Sequence, residues 1–249
     1  MIDIHTHILP NVDDGASNVE ESERLLQMEI EQGVKEIVFT PHYYGKKTAS
    51  AFIELRQNAF EQIRPLLPAD IKTRLGAEVH LTGVNDPSDE TICALAIEGT
   101  KYVLLEFPFD IRWSNRLLER VSSFINDTGY TPILAHIERY YETLSSPMVV
   151  FELVRMGCLV QLNTRAFLEK STRRFAFALL KHGLVHCIGT DAHDIKNRAP
   201  DYAQAQSVVE KAGLDAEWTE LQWCMRMILA GEAVRKPFST VRKFGKFYF

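Results

Sequence analysis

Short apolar runs alternate with longer amphipathic segments along this chain, and the alternation predicts a repeating strand–helix fold. Apolar runs of strand length occur at 2–4, 37–40, 74–77, 102–105, 132–135, 158–162 and 185–190. The segments between them place apolar residues three or four positions apart, which is the spacing of one helix face. In the segment 114–128 this spacing relates the apolar residues Leu117, Leu118, Val121, Phe124 and Ile125.

Capping residues and glycines set the predicted helix boundaries. The predicted helices cover 18–32, 49–66, 114–128, 147–156, 171–182, 199–211 and 216–229. Ser17 is the predicted N-cap of the first helix, and Glu20, three residues later, is its capping-box partner. Three other helices end at Gly129, Gly157 and Gly183, and an apolar strand follows each of these glycines at once. Such junctions are typical of a repeating βα unit.

The chain length fits one barrel domain built from these units. The chain has 249 residues, and a single (β/α) barrel commonly has roughly 250. No linker, repeat or low-complexity segment divides the sequence, so we predict one domain spanning residues 1–249. Seven strands instead of eight predict a distorted or imperfectly closed barrel. A doubly wound open sheet is the alternative architecture, because periodicity does not separate the two.

Composition excludes several classes of protein. The net charge of −5 argues against a nucleic-acid-binding protein, which usually presents a basic face. The four cysteines form no CxxC pair, so neither a disulfide framework nor a zinc ribbon is predicted. The N-terminal segment lacks the basic and long apolar regions of a signal peptide, and no run approaches the roughly 20 apolar residues of a membrane span. We therefore expect a cytoplasmic protein that is not embedded in a membrane.

Six of the seven predicted strands end on residue types that bind metals. The histidines and carboxylates at these ends are His5, His7, His42, Glu78, Glu106, His136, Asp191 and His193. Each is a side chain that divalent metal ions accept as a ligand. In parallel barrels the C-terminal ends of the strands converge on one site. The pattern therefore predicts a metalloenzyme.

The surroundings of several of these residues favour a metal role over a structural one. His5 and His7 alternate along the first strand, so their imidazoles lie on one face. Glu78 and Glu106 have apolar neighbours, and a buried, unpaired carboxylate costs several kcal/mol, so each requires a cation. Asp13 lies beside an Asp–Gly dipeptide and is interpreted as a turn residue.

Four further polar residues are expected to lie outside the ligand set. His80, two residues after Glu78, is predicted to contact a ligand or to line the rim of the site. Asn163 ends the sixth strand and is predicted to hydrogen bond at that rim. His182 and His186 are interpreted as structural residues, one at a helix C-terminus and one within a strand.

The order and spacing of the motifs resemble those of a known superfamily. The motifs are H-x-H at 5–7, NVDDG at 11–15, TPH at 40–42, GAE at 76–78, AHIERY at 135–140 and GTDAH at 189–193. Together they resemble the PHP (polymerase and histidinol phosphatase) superfamily, and more narrowly its bacterial protein-tyrosine phosphatases, the CpsB/CapC family. The resemblance covers nearly the whole chain. It implies a distorted (β/α)7 barrel of the PHP type.

The resemblance also implies a centre of three divalent metal ions, most often manganese, with iron, zinc or magnesium as alternatives. Their ligands would be histidines and carboxylates at the strand ends: His5, His7, Glu78 and Asp191 for the first ion, Asp14, His42 and His193 for the second, and Glu78, Glu106 and His136 for the third. Every position of the family's ligand pattern is occupied here by a suitable residue.

The chemistry of this ligand set favours a phosphate substrate. Three divalent ions carry six positive charges, and the four ligand carboxylates cancel four of them. A phosphate monoester dianion cancels the roughly two positive charges that remain. Arg139 and Arg198 follow His136 and His193 closely in sequence and are predicted to bind the phosphate oxygens. No cysteine has an arginine six residues later, as a cysteine-based phosphatase requires. We therefore expect attack by a metal-bound hydroxide.

The resemblance implies phosphotyrosine as the substrate, on the flexible tail of a bacterial tyrosine autokinase that controls capsule or exopolysaccharide synthesis. A histidinol-phosphate phosphatase, or another phosphatase for small phosphomonoesters, is the first alternative because it shares the metal ligands. A nuclease-like PHP domain is disfavoured by the acidic net charge. A metal-stabilised scaffold without turnover is disfavoured by the intact ligands and the two arginines.

Overall fold

A computed structural model of the chain describes residues 1–81 and 89–249. Within these residues, nine strands form the barrel wall: β1 (Ile2–Thr6), β2 (Glu36–Phe39), β3 (His42–Tyr43), β4 (Lys72–Leu75), β5 (Glu78–His80), β6 (Tyr102–Glu106), β7 (Thr131–Leu134), β8 (Leu159–Asn163) and β9 (Cys187–Gly189). A short hairpin of β10 (Lys243–Phe244) and β11 (Phe247–Tyr248) follows near the end of the chain.

The described residues form ten helices, of which seven match the predicted helices in order and three (89–95, 141–145 and 165–168) were not predicted. They are α1 (Val19–Glu31), α2 (Ala49–Ile63), α3 (Asp89–Leu95), α4 (Asn115–Thr128), α5 (Tyr141–Ser145), α6 (Met148–Arg155), α7 (Arg165–Leu168), α8 (Arg173–Lys181), α9 (Tyr202–Lys211) and α10 (Asp215–Leu229). Short 3-10 helices cover Arg64–Leu66 and Ile137–Arg139. Among the described residues, no helix is both long and apolar enough to cross a bilayer.

The wall strands pair in parallel and form a ring. One sheet has the order β1-β2-β4 and the other has the order β3-β5-β6-β7-β8-β9. A parallel bridge between Thr6 and Ala192 joins the outer strands β1 and β9. There the Asp191 N–H donates to the carbonyl oxygen of His5 and the His7 N–H to that of Ala192, both at 2.9 Å. The prediction of a distorted barrel is confirmed, and the open sheet is excluded.

A second short strand follows each of the predicted strands 37–40 and 74–77, which explains why nine strands occupy seven positions. Thr40 and Pro41 separate β2 from β3, and Gly76 and Ala77 separate β4 from β5. Proline has no N–H to donate to a ladder. The short strands β3 and β5 pair with each other, with His42 opposite Glu78. This pairing brings these two side chains to the same end of the barrel.

The predicted N-cap of the first helix is wrong by one residue. Asn18 caps α1, and its side-chain oxygen accepts a hydrogen bond of 2.9 Å from the Glu21 N–H. Ser17 instead donates its N–H and its hydroxyl to the Glu21 carboxylate, at 3.0 and 2.7 Å. Serine and asparagine are both favourable N-caps, so composition alone does not separate them.

The glycine junctions are confirmed. Gly129 has a φ of 68°, and its N–H donates to the Ile125 carbonyl oxygen at the end of α4. Gly183 has a φ of 69°, and a Cβ there would lie 2.2 Å from the Pro237 carbonyl oxygen. The residues of β1, β6 and β8 are buried throughout. The barrel interior and the contacts between wall and helices therefore form one core, which fixes the strand ends on which the site is built.

Candidate metal centre

The ends of β1 and β9 and the start of β5 bring together the first predicted ligand group. The Nε2 atoms of His5 and His7 are 3.0 Å apart. Glu78 Oε2 lies 3.3 Å from both of these nitrogens. Asp191 Oδ1 lies 3.6 Å from His5 Nε2 and 3.4 Å from His7 Nε2. All four side chains are buried, so their donor atoms face one another inside the barrel.

The second predicted group also converges, and it has one more member than expected. Asp14 Oδ1 lies 3.5 Å from His42 Nε2 and 3.6 Å from His193 Nε2. The rings of His7 and His193 are 3.9 Å apart between centroids. Ligand atoms of His7, Asp14, His42 and His193 all lie within 4.8 Å of one another. His7 thus lies between the first and second groups.

Glu78 connects the third predicted group to the other two. Its Oε1 atom is 2.7 Å from His136 Nε2, and its Oε2 atom is 3.0 Å from His42 Nδ1. Glu106 Oε1 lies 3.5 Å from His136 Nε2, and Glu106 Oε2 lies 3.8 Å from His42 Nδ1. His42 therefore lies beside this third group as well, although it was predicted to belong to the second group only.

The donor set fits divalent cations. Ligand atoms that share an ion at about 2.1 Å lie roughly 3–3.5 Å apart, which is the range of most distances above. Within the described part of the chain, the buried atoms Glu78 Oε2, His42 Nδ1 and His193 Nε2 have no hydrogen-bond partner. Leaving such atoms unpaired costs about 1–3 kcal/mol each. Metal ions would satisfy these atoms.

Arg139 and Arg198 converge on the outer oxygen of Asp191. Arg198 Nη2 donates to Asp191 Oδ2 at 2.7 Å, and Arg139 Nη1 donates to the same oxygen at 3.3 Å. The Arg139 guanidinium also lies 4.2 Å from the centroid of the Phe109 ring. These residues line a cavity of about 380 Å³ that opens beside Asp191. The two predicted arginines are therefore adjacent to the ligand cluster and to a pocket that can admit a substrate.

The similarity to known proteins agrees with this geometry. The chain matches the sequence model of the family described as "Capsular polysaccharide synthesis, CpsB/CapC" over residues 1–223. The chain belongs to the CpsB/CapC family. It is 31% identical to the tyrosine-protein phosphatase YwqE of Bacillus subtilis over 216 residues, covering 85% of this chain and 84% of that protein. It is 33% identical to the tyrosine-protein phosphatase CpsB of Streptococcus pneumoniae over 230 residues, covering 85% and 90%.

A solved structure extends the similarity to the fold. The crystal structures of YwqE and CpsB, described as unique metal-dependent tyrosine phosphatases, include a chain that superposes with a TM-score of 0.84 at 28% identity. The superposition covers 98% of this chain and 100% of that chain. This CpsB/CapC-family chain therefore shares its whole barrel with a family member of known structure.

Carboxylates and imidazoles of the CpsB/CapC centre shift one another's pKa values strongly. Burial lowers the pKa of His7, but the Asp13 and Glu78 carboxylates outweigh burial and raise it to about 10. Burial raises the pKa of Glu78, but His5 and His136 outweigh it and hold the value well below the usual range. Histidine must lose its proton to bind a metal. Protons therefore compete with cations for this site.

His193 differs from His7 because burial and neighbouring positive groups outweigh its carboxylate neighbours. Burial and the neighbouring His7 lower the pKa of His193 to about 2. Its Nδ1 atom lies 2.8 Å from the carbonyl oxygen of Asp191, which leaves Nε2 directed at Asp14. A neutral imidazole with a free Nε2 is the form that binds metals.

Asp13 holds two predicted ligands in place, a role that the turn interpretation missed. Its Oδ2 atom accepts 2.7 Å hydrogen bonds from His7 Nδ1 and from the His42 backbone N–H. Its Oδ1 atom accepts one of 3.0 Å from the Gly15 N–H. A carboxylate on the far nitrogen of a ligand histidine fixes the tautomer and orientation of its ring. Asp13 is therefore a positioning residue as well as a turn residue.

Gln161 and Asn163 form a second support, along β8. The His136 N–H donates to Gln161 Oε1. Gln161 Nε2 donates to Asn163 Oδ1 at 2.9 Å, and Asn163 Nδ2 donates to Asp191 Oδ2 at 2.8 Å. The predicted role of Asn163 at the rim is confirmed. The sequence analysis did not identify Gln161 as a supporting residue. Gln161 and Asn163 are two positions apart in one strand and therefore lie on the same face, which could have indicated this role.

Two of the remaining histidines lie where the sequence predicts, whereas His186 directly precedes β9 instead of lying within a strand. His80 Nδ1 is 2.8 Å from Glu106 Oε2, so His80 contacts a predicted ligand. His182 is the C-cap of α8 and pairs with Ser239. His186 is buried, and burial lowers its pKa to about 3. The last two have structural roles.

Glu138 is a further buried acid in the pocket wall that sequence reasoning did not identify. Its side chain lines the cavity beside Arg139, and its Oε1 atom accepts a 3.2 Å bond from the Asn163 N–H. Burial raises the pKa of Glu138 to about 8. A carboxyl group at this position therefore carries a proton at neutral pH in the metal-free chain.

Proposed function

We propose that this chain is a metal-dependent protein-tyrosine phosphatase that hydrolyses phosphotyrosine. The observation that carries the proposal is the convergence of the histidine and carboxylate cluster with Arg139 and Arg198 at one pocket. Membership of a family whose relatives YwqE and CpsB are named tyrosine-protein phosphatases supports it.

The cluster would hold three divalent ions, with manganese the expected metal and iron, zinc or magnesium the alternatives. Every ligand atom of the predicted set lies within 4 Å of at least one other ligand atom. When bound, such ions supply Lewis-acid activation of water and of a phosphate group. Glu78 has both oxygens directed at different histidines, which suits a bridging ligand.

The chain's own residues would bind and orient the phosphate. Both guanidinium groups reach the Asp191 edge of the cluster, where they can share their remaining N–H groups with phosphate oxygens. Packing against the half-exposed Phe109 ring holds Arg139 in this position. The same ring offers a flat apolar face to the aryl group of a tyrosyl substrate.

The cysteines do not support a thiol mechanism. Cys158, Cys187 and Cys224 are buried, and burial raises the pKa of the Cys158 thiol to about 12 and that of Cys187 well above its usual value. A nucleophilic thiol requires a lowered pKa. Cys93 is exposed and is absent from the residues that line the cavity beside Asp191 in the described chain.

The proposed substrate protein is a bacterial tyrosine autokinase whose flexible, tyrosine-rich tail enters the pocket in the cytoplasm. The family's description, capsular polysaccharide synthesis, supports a role in capsule or exopolysaccharide production. A disordered tail can become ordered as it binds an open site, and the described pocket lies at the barrel surface beside the partly exposed Arg139 and Arg198.

The test compares kcat/KM for a phosphotyrosyl peptide with that for histidinol phosphate, using protein purified without chelator. We expect the peptide to be preferred, activity to disappear on chelation, and manganese to restore it. His136→Ala and Asp191→Ala should lose activity, whereas His182→Ala is the matched control because His182 lies at the end of α8. Preference for histidinol phosphate would support the small-phosphomonoester alternative. Retained activity in both ligand variants would refute the metal assignment.

A further inference from the structure

The hairpin of β10 and β11 is held firmly against the barrel by one of its two faces. Lys243 pairs with Tyr248 across the hairpin. The Lys243 ammonium and the Tyr248 hydroxyl donate to the carbonyl oxygen of Leu144, at 2.7 and 2.8 Å. The Tyr248 ring also packs against Phe175 of α8, at 5.5 Å between centroids. This face is therefore a structural contact with α5 and α8.

The opposite face of the hairpin is apolar and directed at solvent. Successive strand residues point to opposite faces, so the cross-strand pair Phe244 and Phe247 lies away from the barrel. Phe244 is 77% exposed, Phe247 57% and the neighbouring Phe249 60%. Tyr141 on α5, the helix that holds the hairpin, is 74% exposed. These are the four most exposed large apolar side chains of the described residues, and we call them the aromatic face.

Positive charge lies beside the aromatic face in an otherwise acidic chain. Residues 234–249 contain five of the chain's 28 lysines and arginines and none of its 33 aspartates and glutamates. The Lys246 ammonium and the Arg174 guanidinium each lie 5.7 Å from the centroid of the Phe247 ring. The rest of the chain carries the net negative charge. An anionic surface would therefore attract this end of the molecule and repel the rest.

We propose that the aromatic face docks this protein onto an anionic membrane surface. Phenylalanines beside lysines and arginines are typical of segments that insert into the headgroup region of anionic bilayers. The exposed apolar side chains of the hairpin are those of Phe244 and Phe247. Its strands have two residues each, which is too short for pairing with the strand of another protein. The proposal does not depend on the phosphatase function, because the hairpin contains no predicted ligand.

The aromatic face adjoins the pocket. Thr172 lines the cavity beside Asp191, and Arg174, two residues later, contacts the Phe247 ring. Tyr141 is likewise two residues from Arg139. A membrane bound to this face would therefore lie beside the pocket entrance, so docking would favour substrate segments that emerge from the membrane surface.

Vesicle co-sedimentation of the full chain tests the proposal. We expect the protein to sediment with vesicles of phosphatidylglycerol and phosphatidylcholine and to remain in the supernatant with phosphatidylcholine alone. Phe244→Ser/Phe247→Ser should lower partitioning by at least about tenfold, and Lys246→Glu by at least about fivefold. Activity on a soluble aryl phosphate and the melting temperature should stay at wild-type values in both variants.

Matched controls change similar residues elsewhere on the surface. Trp223→Ser removes a partly exposed aromatic ring from α10, and Lys211→Glu reverses an exposed charge on α9. Both should partition like wild type. Equal sedimentation of the wild type and the double serine variant, or of the wild type with both kinds of vesicle, would overturn the proposal. A concentration-dependent dimer that the double serine substitution abolishes would instead assign the face to a second copy of the chain.

Discussion

Replacing Asp13 by asparagine separates the two roles that this residue combines. As a turn residue, Asp13 needs only to accept the Gly15 N–H bond of 3.0 Å, which asparagine does equally well. As a positioning residue, it must also accept bonds of 2.7 Å from His7 Nδ1 and from the His42 N–H. The negative charge that polarises His7 is lost in the asparagine variant. We therefore expect weaker metal binding with the turn intact.

The size of the effect on metal binding follows from the contact with His7, and the pKa of Asp13 gives a separate effect on stability. Removing a carboxylate that bonds the far nitrogen of a ligand histidine costs about 10- to 100-fold in metal affinity or activity. In the metal-free chain, burial opposes ionisation of Asp13, but His7 outweighs it and lowers the pKa of Asp13 to about 2 from 3.8. This shift corresponds to about 2 kcal/mol of folding stability at neutral pH.

The sign of the pKa shift adds a pH test. Because the pKa of Asp13 is lowered by folding, its contribution to stability is present above pH about 4 and is lost as the pH falls through about 2. The wild type should therefore be more stable than the asparagine variant at pH 5, and the difference should vanish near pH 2. Urea unfolding of the metal-free proteins measures it.

The assay is a manganese titration of chelator-treated protein, with free Mn²⁺ followed by electron paramagnetic resonance and turnover measured in parallel. Asp194→Asn is the matched control, because Asp194 Oδ1 accepts the nearby Lys196 and Asn197 N–H bonds, at 2.7 and 2.6 Å. It should bind manganese like wild type. If Asp13→Asn also retains wild-type manganese affinity, the positioning role is refuted and Asp13 is a turn residue only.

Three further predictions follow from the pocket and the barrel wall. Arg139→Ala and Arg198→Ala should each lower kcat/KM about 10- to 150-fold at unchanged metal content, with partial recovery in the lysine variants; unchanged kinetics would exclude a phosphate contact. Because folding raises the pKa of Glu138 to about 8, its stabilisation is lost as the pH rises from about 4.5 to 8. The melting temperature of metal-free Glu138→Gln should therefore rise relative to that of the wild type as the pH increases across that range. A difference in melting temperature that stays constant with pH would contradict the raised pKa of Glu138. A Cβ on Gly189 would lie 2.4 Å from His5 Cβ, so Gly189→Ala should lower metal content and destabilise by about 1–3 kcal/mol; wild-type values of both would refute the close packing.

The predicted ligands could be found from the sequence because topology fixes where strand ends meet. In a parallel barrel all C-terminal strand ends lie on one side, so His42 and His136 converge although almost a hundred residues separate them. Strand periodicity and position were therefore sufficient for the predicted ligands at strand ends, whereas Asp14 was predicted only from the family resemblance. Periodicity and position did not predict how the ligands are divided among the metal positions. His7 and His42 each lie between two groups, and this depends on side-chain geometry.

The residues that the sequence did not reveal act through partners distant in sequence. Asp13 precedes an Asp–Gly pair, a common turn signal, and its bond to the His42 N–H spans 29 positions. Gln161 is one polar residue in a buried strand, and its bond to His136 crosses from β8 to the end of β7. Glu138 lies in a single turn of 3-10 helix, which is too short for a periodic pattern to predict its burial. Such contacts exist only once the barrel has formed.

Backbone strain at two predicted ligands shows that the protein itself orients them. His136 has a φ of 30° and Asp191 a φ of 54°, and left-handed backbone in such residues costs about 1–3 kcal/mol each. Bonds from neighbouring strands maintain both conformations: the His136 N–H donates to Gln161, and the Asp191 N–H donates to the His5 carbonyl oxygen at 2.9 Å. Both bonds are formed by protein groups, so the barrel itself supports these conformations. Metal binding at such a prearranged site chiefly replaces protons on the imidazoles, and its strength is therefore governed by pH more than by any refolding of the site.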